Sequence, residues 1–190
     1  MSLFDQQKWN SKYQNATSVP AVPSAVLVGL ADLLPRSGRA IDVAGGAGRN
    51  AIWLSQHGLD VTLADVSAVG LQLATERAKA AGISFTPLQV DLEEQPFPTG
   101  PWDLIVSVCY LQRQLFSAYP RVLAPGGLLV VIQPTVTNLE KHDKPPRPFL
   151  LEVGELPRLV PGLEIVHYKE EWLADDRHDA VVIARRPEAR

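Results

Sequence analysis

Cysteine is nearly missing from this chain: Cys109 is the single one among 190 residues. No internal disulfide framework can form, and such sparing use of cysteine fits a reducing cytoplasm. The four histidines have no cysteine or histidine partner at zinc-ligand spacing, so no metal site is expected. An excess of positive charge is missing too. Lys and Arg number 18 against 21 Asp and Glu, a net charge of −3 with no basic run. That balance argues against nucleic acid or an anionic membrane as the main partner. Long apolar runs are absent. The longest, Ala25 to Leu34, is broken by Asp32 and falls short of the roughly 20 residues that span a bilayer. The polar start Asp5-Gln6-Gln7-Lys8 has no signal-peptide core. What remains is 46% hydrophobic and 21% charged, without repeats or low-complexity tracts, at a length that buries one good core in one domain.

Against that plain background one stretch stands out, Arg39-Ala-Ile-Asp-Val-Ala-Gly-Gly-Ala-Gly-Arg-Asn50. Ala40, Ile41 and Val43 form a short buried strand, the small residues Ala44 to Gly48 make a turn, and Ala51, Ile52 and Leu54 resume helical spacing. Strand, glycine turn and helix in that order bring a ligand close to the backbone, opposite a helix N-terminus whose N–H groups lack partners. Gly46-x-Gly48-x-x-Ala51, with Asp65 about 20 residues on, satisfies the loose dinucleotide pattern. Asp42 decides between candidate ligands. A carboxylate just before the glycines repels a pyrophosphate lying on them, as NAD would require, and suits a ligand that carries positive charge.

The stretch resembles motif I of the class I methyltransferases that use S-adenosylmethionine (SAM), Asp/Glu-x-Gly-x-Gly-x-Gly. Asp42 is the acidic residue, Gly46 and Gly48 match the later glycines, and Ala44 replaces the first. Alanine there is expected to keep the backbone out of the left-handed region. The resemblance extends from Trp9 to Pro187. Gly46-x-Gly48-Arg49-Asn50 before an Ile-Trp-Leu helix, Phe149-Leu-Leu-Glu-x-Gly-Glu-Leu156 and the closing His178-x-Ala-x-x-x-Ala-Arg185 are similar to the tellurite-resistance and thiopurine-methyltransferase-like branch. It implies SAM as cofactor, lidded by Trp9 and Tyr13 and held around Asp42, Ala44, Gly45, Gly46, Gly48, Arg49 and Asn50. Asp65, with Val66 and Ser67, then meets the ribose hydroxyls, Asp91 and Leu92 meet the adenine, and Cys109 and Tyr110 close the site.

The rest of the chain alternates strand with helix. Trp9 and Tyr13 lie four apart on a short polar helix over 4–14, a spacing that by itself docks two aromatics on a core. Pro23 reads as the first position of a second helix with a stripe from Val26 to Leu34. Strands follow at Val61–Asp65, Ser84–Val90, the nearly continuous apolar Trp102–Val108, and Leu128–Gln133 after the turn signal Pro125-Gly126-Gly127. Helices fill the gaps at Gly48–His57 and Ala68–Ala81, with another ending near Leu123. Beyond Gln133 the pattern changes to a loop over 134–148, a short helix Leu151–Leu159, and strands Leu163–Tyr168 and Ala180–Arg185. The expected fold is therefore α/β: a Rossmann-like, doubly wound, mostly parallel sheet of seven strands with an antiparallel last strand and helices on both faces. Within one domain, residues 1–35 form a helical lid segment, 36–134 the cofactor core, and 135–190 a substrate loop with the C-terminal strands.

Methyl transfer needs alignment and exclusion of water more than a catalytic side chain. A soft thiolate or chalcogen oxyanion needs no general base, whereas an oxygen nucleophile does. Candidates for base or positioning roles are Tyr110, Arg113, Arg147, His142 and His178, the arginines reaching an anionic substrate. A small molecule is the expected acceptor, with an NAD-type enzyme or a SAM-binding module without catalysis as the competing readings.

Overall fold

The structure is a computed structural model in which residues 3–14 and 19–188 are described. Its helices are α1 (Leu3–Gln14), α2 (Ala25–Gly29), α3 (Arg49–Gln56), α4 (Ala68–Ala80) and α5 (Tyr119–Val122). Its strands are β1 (Arg39–Val43), β2 (Asp60–Asp65), β3 (Thr86–Gln89), β4 (Trp102–Val108), β5 (Leu123–Pro134), β6 (Glu164–Trp172) and β7 (His178–Arg185). They form one sheet of seven strands in the order β3-β2-β1-β4-β5-β7-β6. All neighbours from β3 through β5 pair in parallel, while β7 runs antiparallel to both β5 and β6. This is the doubly wound, Rossmann-like arrangement expected, with β7 as its antiparallel member.

Alternation along the central strands sorts side chains into two cores, one on each face of the sheet. Ile41, Val43, Ile105, Leu129, Val131 and Val182 pack on one side. Ala40, Leu104, Val106, Val130, Ile132 and Ile183 pack on the other, under α2, α3 and α4. Each is fully buried or nearly so, contributing about 1.5–3 kcal/mol for its larger side chains. Two-sided burial explains why β4 reads as a continuous apolar run rather than an alternating one.

Several elements differ from the sequence reading for local reasons. Ser24, not Pro23, starts α2: its hydroxyl accepts from Leu27 N. β3 has four residues, not seven, and carries Pro87 at the sheet's edge, where a missing N–H costs no ladder bond. β5 begins at Leu123 and runs through Pro125-Gly126-Gly127 as an irregularity in its pairing with β4, Gly126 at φ +75°. The helix expected over Leu151–Leu159 is absent. Gly154 takes a positive φ and Pro157 follows, leaving one 3-10 turn at Leu156–Leu159. The loop over 134–148 is tied down. A 3-10 turn spans Val136–Glu140, and buried Asn138 donates to the carbonyls of Thr135 and His178. Among the described residues no helix is long and apolar enough to cross a membrane, and no cluster of potential metal ligands occurs.

Candidate functional site

The parallel strands β1, β2, β4 and β5 end at one edge of the sheet, where ligands of open α/β sheets sit. The glycine turn lies there. Gly45 N donates to Ala64 O at 3.2 Å and Gly48 N to Gly45 O at 3.0 Å. Gly48, at φ +76°, caps α3 with no side chain to intrude, and an added Cβ would lie 2.7 Å from that of Ala74 on α4. Ala44 overturns its expectation: it adopts φ +52°, so the backbone is left-handed although the residue carries a Cβ.

Two buried aspartates flank this turn. Asp65, at the end of β2, accepts from Gly46 N at 2.7 Å through one oxygen and from Ser67 N at 2.8 Å through the other. Burial raises its pKa, against the pull of those backbone donors. It does not cap α4. Ser67 does, its hydroxyl accepting from Gly70 N and donating to Asn10 of α1 at 2.6 Å. Asp42, at the end of β1, is 1% exposed, and neither of its oxygens meets a hydrogen-bond partner of good geometry. Burial pushes its carboxyl up to about 7; the Ala51 N–H in the first turn of α3 opposes the shift, Asp65 adds to it, and the Arg49 guanidinium opposes it.

A groove runs along the edge past both aspartates. Over Asp65 it is narrow, about 60 Å³, and lined by Trp9, Tyr13, Ala44, Val66, Leu92, Cys109 and Tyr110. Over Asp42 it widens to about 310 Å³, with Gly45, Arg49, Asn50 and Arg177 in its wall. Trp9 and Tyr13 stack at 5.8 Å between centroids and cover the turn, the Tyr13 hydroxyl lying where a Cβ on Gly46 would stand. Desolvation, then the two aspartates, raise the Tyr13 pKa. Asn50 lines the groove and also accepts from Ser24 N at 3.0 Å, holding the segment before α2 against α3.

A buried carboxylate with no partner is costly until a cation or donor reaches it, and here it opens on a groove beside Arg49. Among the described residues no carboxylate pairs with that arginine. One unpaired carboxylate beside one unpaired guanidinium complements an amino-acid zwitterion, the end group of SAM. Asp65 is placed to take hydroxyl donors, since each of its oxygens keeps a second lone pair. These charges suit a zwitterion and disfavour a pyrophosphate over Asp42.

Other candidate residues go elsewhere. Arg113 makes a two-pronged pair with Glu155 at 2.6 and 2.8 Å and donates to the carbonyls of Pro148 and Leu150. Arg147 grips Glu152 at 2.8 Å. Neither is among the residues that line the groove. His142 Nε2 lies 2.8 Å from Asp176 O, and His178 Nδ1 lies 2.8 Å from Thr135 Oγ1 with its ring edge-on to Trp172. Both histidines are engaged in holding the 134–148 segment to the β6–β7 turn. Asp91 accepts from Glu93 N at 3.0 Å in a tight turn, and Leu92 beside it lines the groove. Two arginines escaped the sequence reading. Arg77 donates to the carbonyls of Val19, Pro20 and Ala47 and ties that segment to the glycine turn. Arg177 reaches the groove from the β6–β7 turn.

Residues 40–127 match the family described as a methyltransferase domain. The chain is 34% identical over 103 residues to the demethylmenaquinone methyltransferase of Thermus thermophilus, covering 50% of this chain and 46% of that protein. It is 30% identical over 122 residues to the tRNA 5-carboxymethoxyuridine methyltransferase of Escherichia coli, covering 60% and 47%. The chain thus spans about half the length of the curated relatives it matches. In fold it is similar to TehB from Haemophilus influenzae, with a TM-score of 0.70 at 18% identity over 94% of this chain and 67% of that one. The matches thus give a methyltransferase domain over the core of the chain and, with TehB, a shared fold.

Proposed function

We propose that this chain is a class I methyltransferase that moves a methyl group from SAM to a small-molecule acceptor. The observation that carries this reading is the buried carboxylate of Asp42, which lines the groove beside the glycine turn with no well-formed hydrogen bond among the described residues. SAM supplies an activated methyl on its sulfonium, which passes in line to a lone pair of the acceptor as the carbon–sulfur bond breaks toward sulfur. Asp42 holds the ammonium end, Asp65 the ribose hydroxyls, and Leu92 with Val66 the sides of the nucleoside. Trp9 and Tyr13 cover the groove and exclude water.

The acceptor we favour is a soft nucleophile, a thiol already ionised to its thiolate by solvent or a chalcogen oxyanion, which attacks with no proton left for the protein to take. What supports this is the engagement of both candidate histidines outside the groove. We further place the chain in the tellurite-resistance and thiopurine-methyltransferase-like branch, on the Gly46-x-Gly48-Arg49-Asn50 motif and the run from Phe149 to Leu156. The test is calorimetric titration with SAM, S-adenosylhomocysteine and NAD, followed by transfer of labelled methyl to small thiols and selenite. Binding of the two SAM-type ligands and label on an acceptor are expected. Binding of NAD alone would overturn the reading.

A further inference from the structure

A second cleft of about 510 Å³ opens beside the groove and shares Pro20, Arg49 and Arg177 with it. One wall is Val22, Pro23 and Val26, held against α3 by the Ser24–Asn50 bond; the facing wall is Leu173 and Ala174 of the β6–β7 turn. Val22 is 75% exposed, an aliphatic side chain left open to solvent at the rim. Two guanidinium groups, Arg49 and Arg177, stand on the side toward the groove. Arg49 has no carboxylate partner among the described residues. Arg177 spends one nitrogen on Asp179 at 2.8 Å, sits 3.9 Å from Asp175, and leans on the Cys109 sulfur at 3.8 Å. Five N–H donors serve that guanidinium; its Nε is buried without a hydrogen-bond partner among the described residues, and Nη1 meets only the Cys109 sulfur. The acidic groups facing it are Asp179 beneath, Asp175 on the exposed rim, and Asp42 across the turn.

We propose that this cleft is the acceptor subsite, and that of the acceptors favoured above it takes a thiol carrying an anionic group, whose aliphatic body lies between Val22 and Leu173 while that group meets Arg177. The assignment rests on the groove being the cofactor site. It places the acceptor at the end of the groove away from Asp65, with Arg49 and Arg177 at the junction. Arg177 is a specificity-determining residue: Asp179 fixes its guanidinium, and its remaining donors select an anion over a neutral molecule of equal shape.

Hexanoate and hexanamide, matched in body and differing in charge, are the probes, titrated by calorimetry into protein saturated with S-adenosylhomocysteine. Hexanoate should bind at least about tenfold more tightly, the worth of one charge-assisted hydrogen bond. The double variant Arg177→Met/Asp179→Asn, which strands no buried charge, should lose that preference while keeping its affinity for hexanamide and for S-adenosylhomocysteine. Asp175→Asn, on an exposed turn that does not threaten the fold, should tighten hexanoate about two- to threefold by removing a like charge from the rim. Equal binding of the two probes to the unaltered protein would overturn the proposal, as would a preference that survives in the double variant. A double variant that loses S-adenosylhomocysteine instead would assign Arg177 to the cofactor and also overturn it. If the unaltered protein fails to bind S-adenosylhomocysteine, the methyltransferase reading falls, and the same two titrations on the free protein still decide the anion cleft.

Discussion

Asp42 and Asp65 end neighbouring parallel strands, lie at the same edge of the sheet, and are both almost wholly buried. They are held in opposite ways. Asp65 accepts two backbone N–H groups, one from the glycine turn and one from the start of α4, and so belongs to the architecture of the protein itself. Neither Asp42 oxygen meets a hydrogen-bond partner of good geometry among the described residues, the Ala51 N–H being its nearest help. The pair shows how one buried residue type builds a site in two senses. Asp65 shapes the turn that a ligand meets, whereas Asp42 waits for the ligand to complete it. Substitution should therefore move stability in opposite directions at the two positions while weakening the cofactor at both.

The largest effect is expected at Asp65. Asp65→Ala strands Gly46 N and Ser67 N, each costing about 1–3 kcal/mol when left buried without an acceptor. A loss of about 2–4 kcal/mol in unfolding free energy is a large share of a domain's roughly 5–15 kcal/mol. The cofactor should weaken by a further 1.5–3 kcal/mol, roughly 10- to 100-fold, from the lost bonds to its hydroxyls. Denaturant melts and calorimetry separate the two effects. A variant as stable as the unaltered protein would show that the backbone bonds to Asp65 contribute little, and would erase the contrast with Asp42.

The next effect belongs to Asp42 and changes sign with the ligand. Its folded pKa of about 7 stands above its ordinary 3.8. Between those values the folded protein holds a proton that the unfolded chain has released, so stability falls as pH rises from about 4 to about 7 and is level above. Asp42→Asn removes that slope and should leave the empty protein more stable at pH 8. A cationic ligand favours the carboxylate. SAM binding should thus release a proton below pH 7, and affinity should rise with pH and flatten above it. In Asp42→Asn this proton release should vanish and affinity should drop roughly 10- to 100-fold, the worth of a charge-assisted contact. Titration in buffers of differing ionisation enthalpy measures the proton directly. Binding with no proton uptake or release across pH 6–8 would mean that the ammonium is held elsewhere.

Both aspartates were legible in the sequence because strand ends and glycine turns are local patterns. The same holds for the two-sided burial of β4 and the alternation of strand and helix. What was not legible is long-range pairing. Arg113 reads as an exposed arginine after a central strand, yet Glu155 claims it across 42 positions. Arg177 reads as part of a polar turn, and only the antiparallel return of β7 beside β5 carries it back over Cys109. The apolar spacing of Leu151, Leu156 and Leu159 suggested a helix. Burial of Leu151 and Leu156 is satisfied just as well by an irregular segment kinked at Gly154 and Pro157. Periodicity reports which residues go inside, and the backbone that takes them there also depends on its breakers.

The smallest effect tests whether the turn between the two aspartates is itself strained. Ala44 lines both parts of the groove and holds φ +52°, a region that costs a residue with a Cβ roughly 1–2 kcal/mol relative to the right-handed one. Glycine carries no such penalty but gives the unfolded chain more freedom to lose, a term of about 0.4–1 kcal/mol. The difference leaves Ala44→Gly more stable by about 0.5–1 kcal/mol, read as a small rise in the denaturant midpoint with an unchanged slope. No hydrogen bond of Asp65 is removed and Asp42 gains no partner, so the proton released on binding SAM should stay as it was. A destabilised Ala44→Gly would mean that the methyl group's contacts outweigh its strain. The left-handed turn would then rest on packing under Tyr13 and Trp9, and the balance between the two aspartates would depend on the cover of the groove rather than on the turn alone.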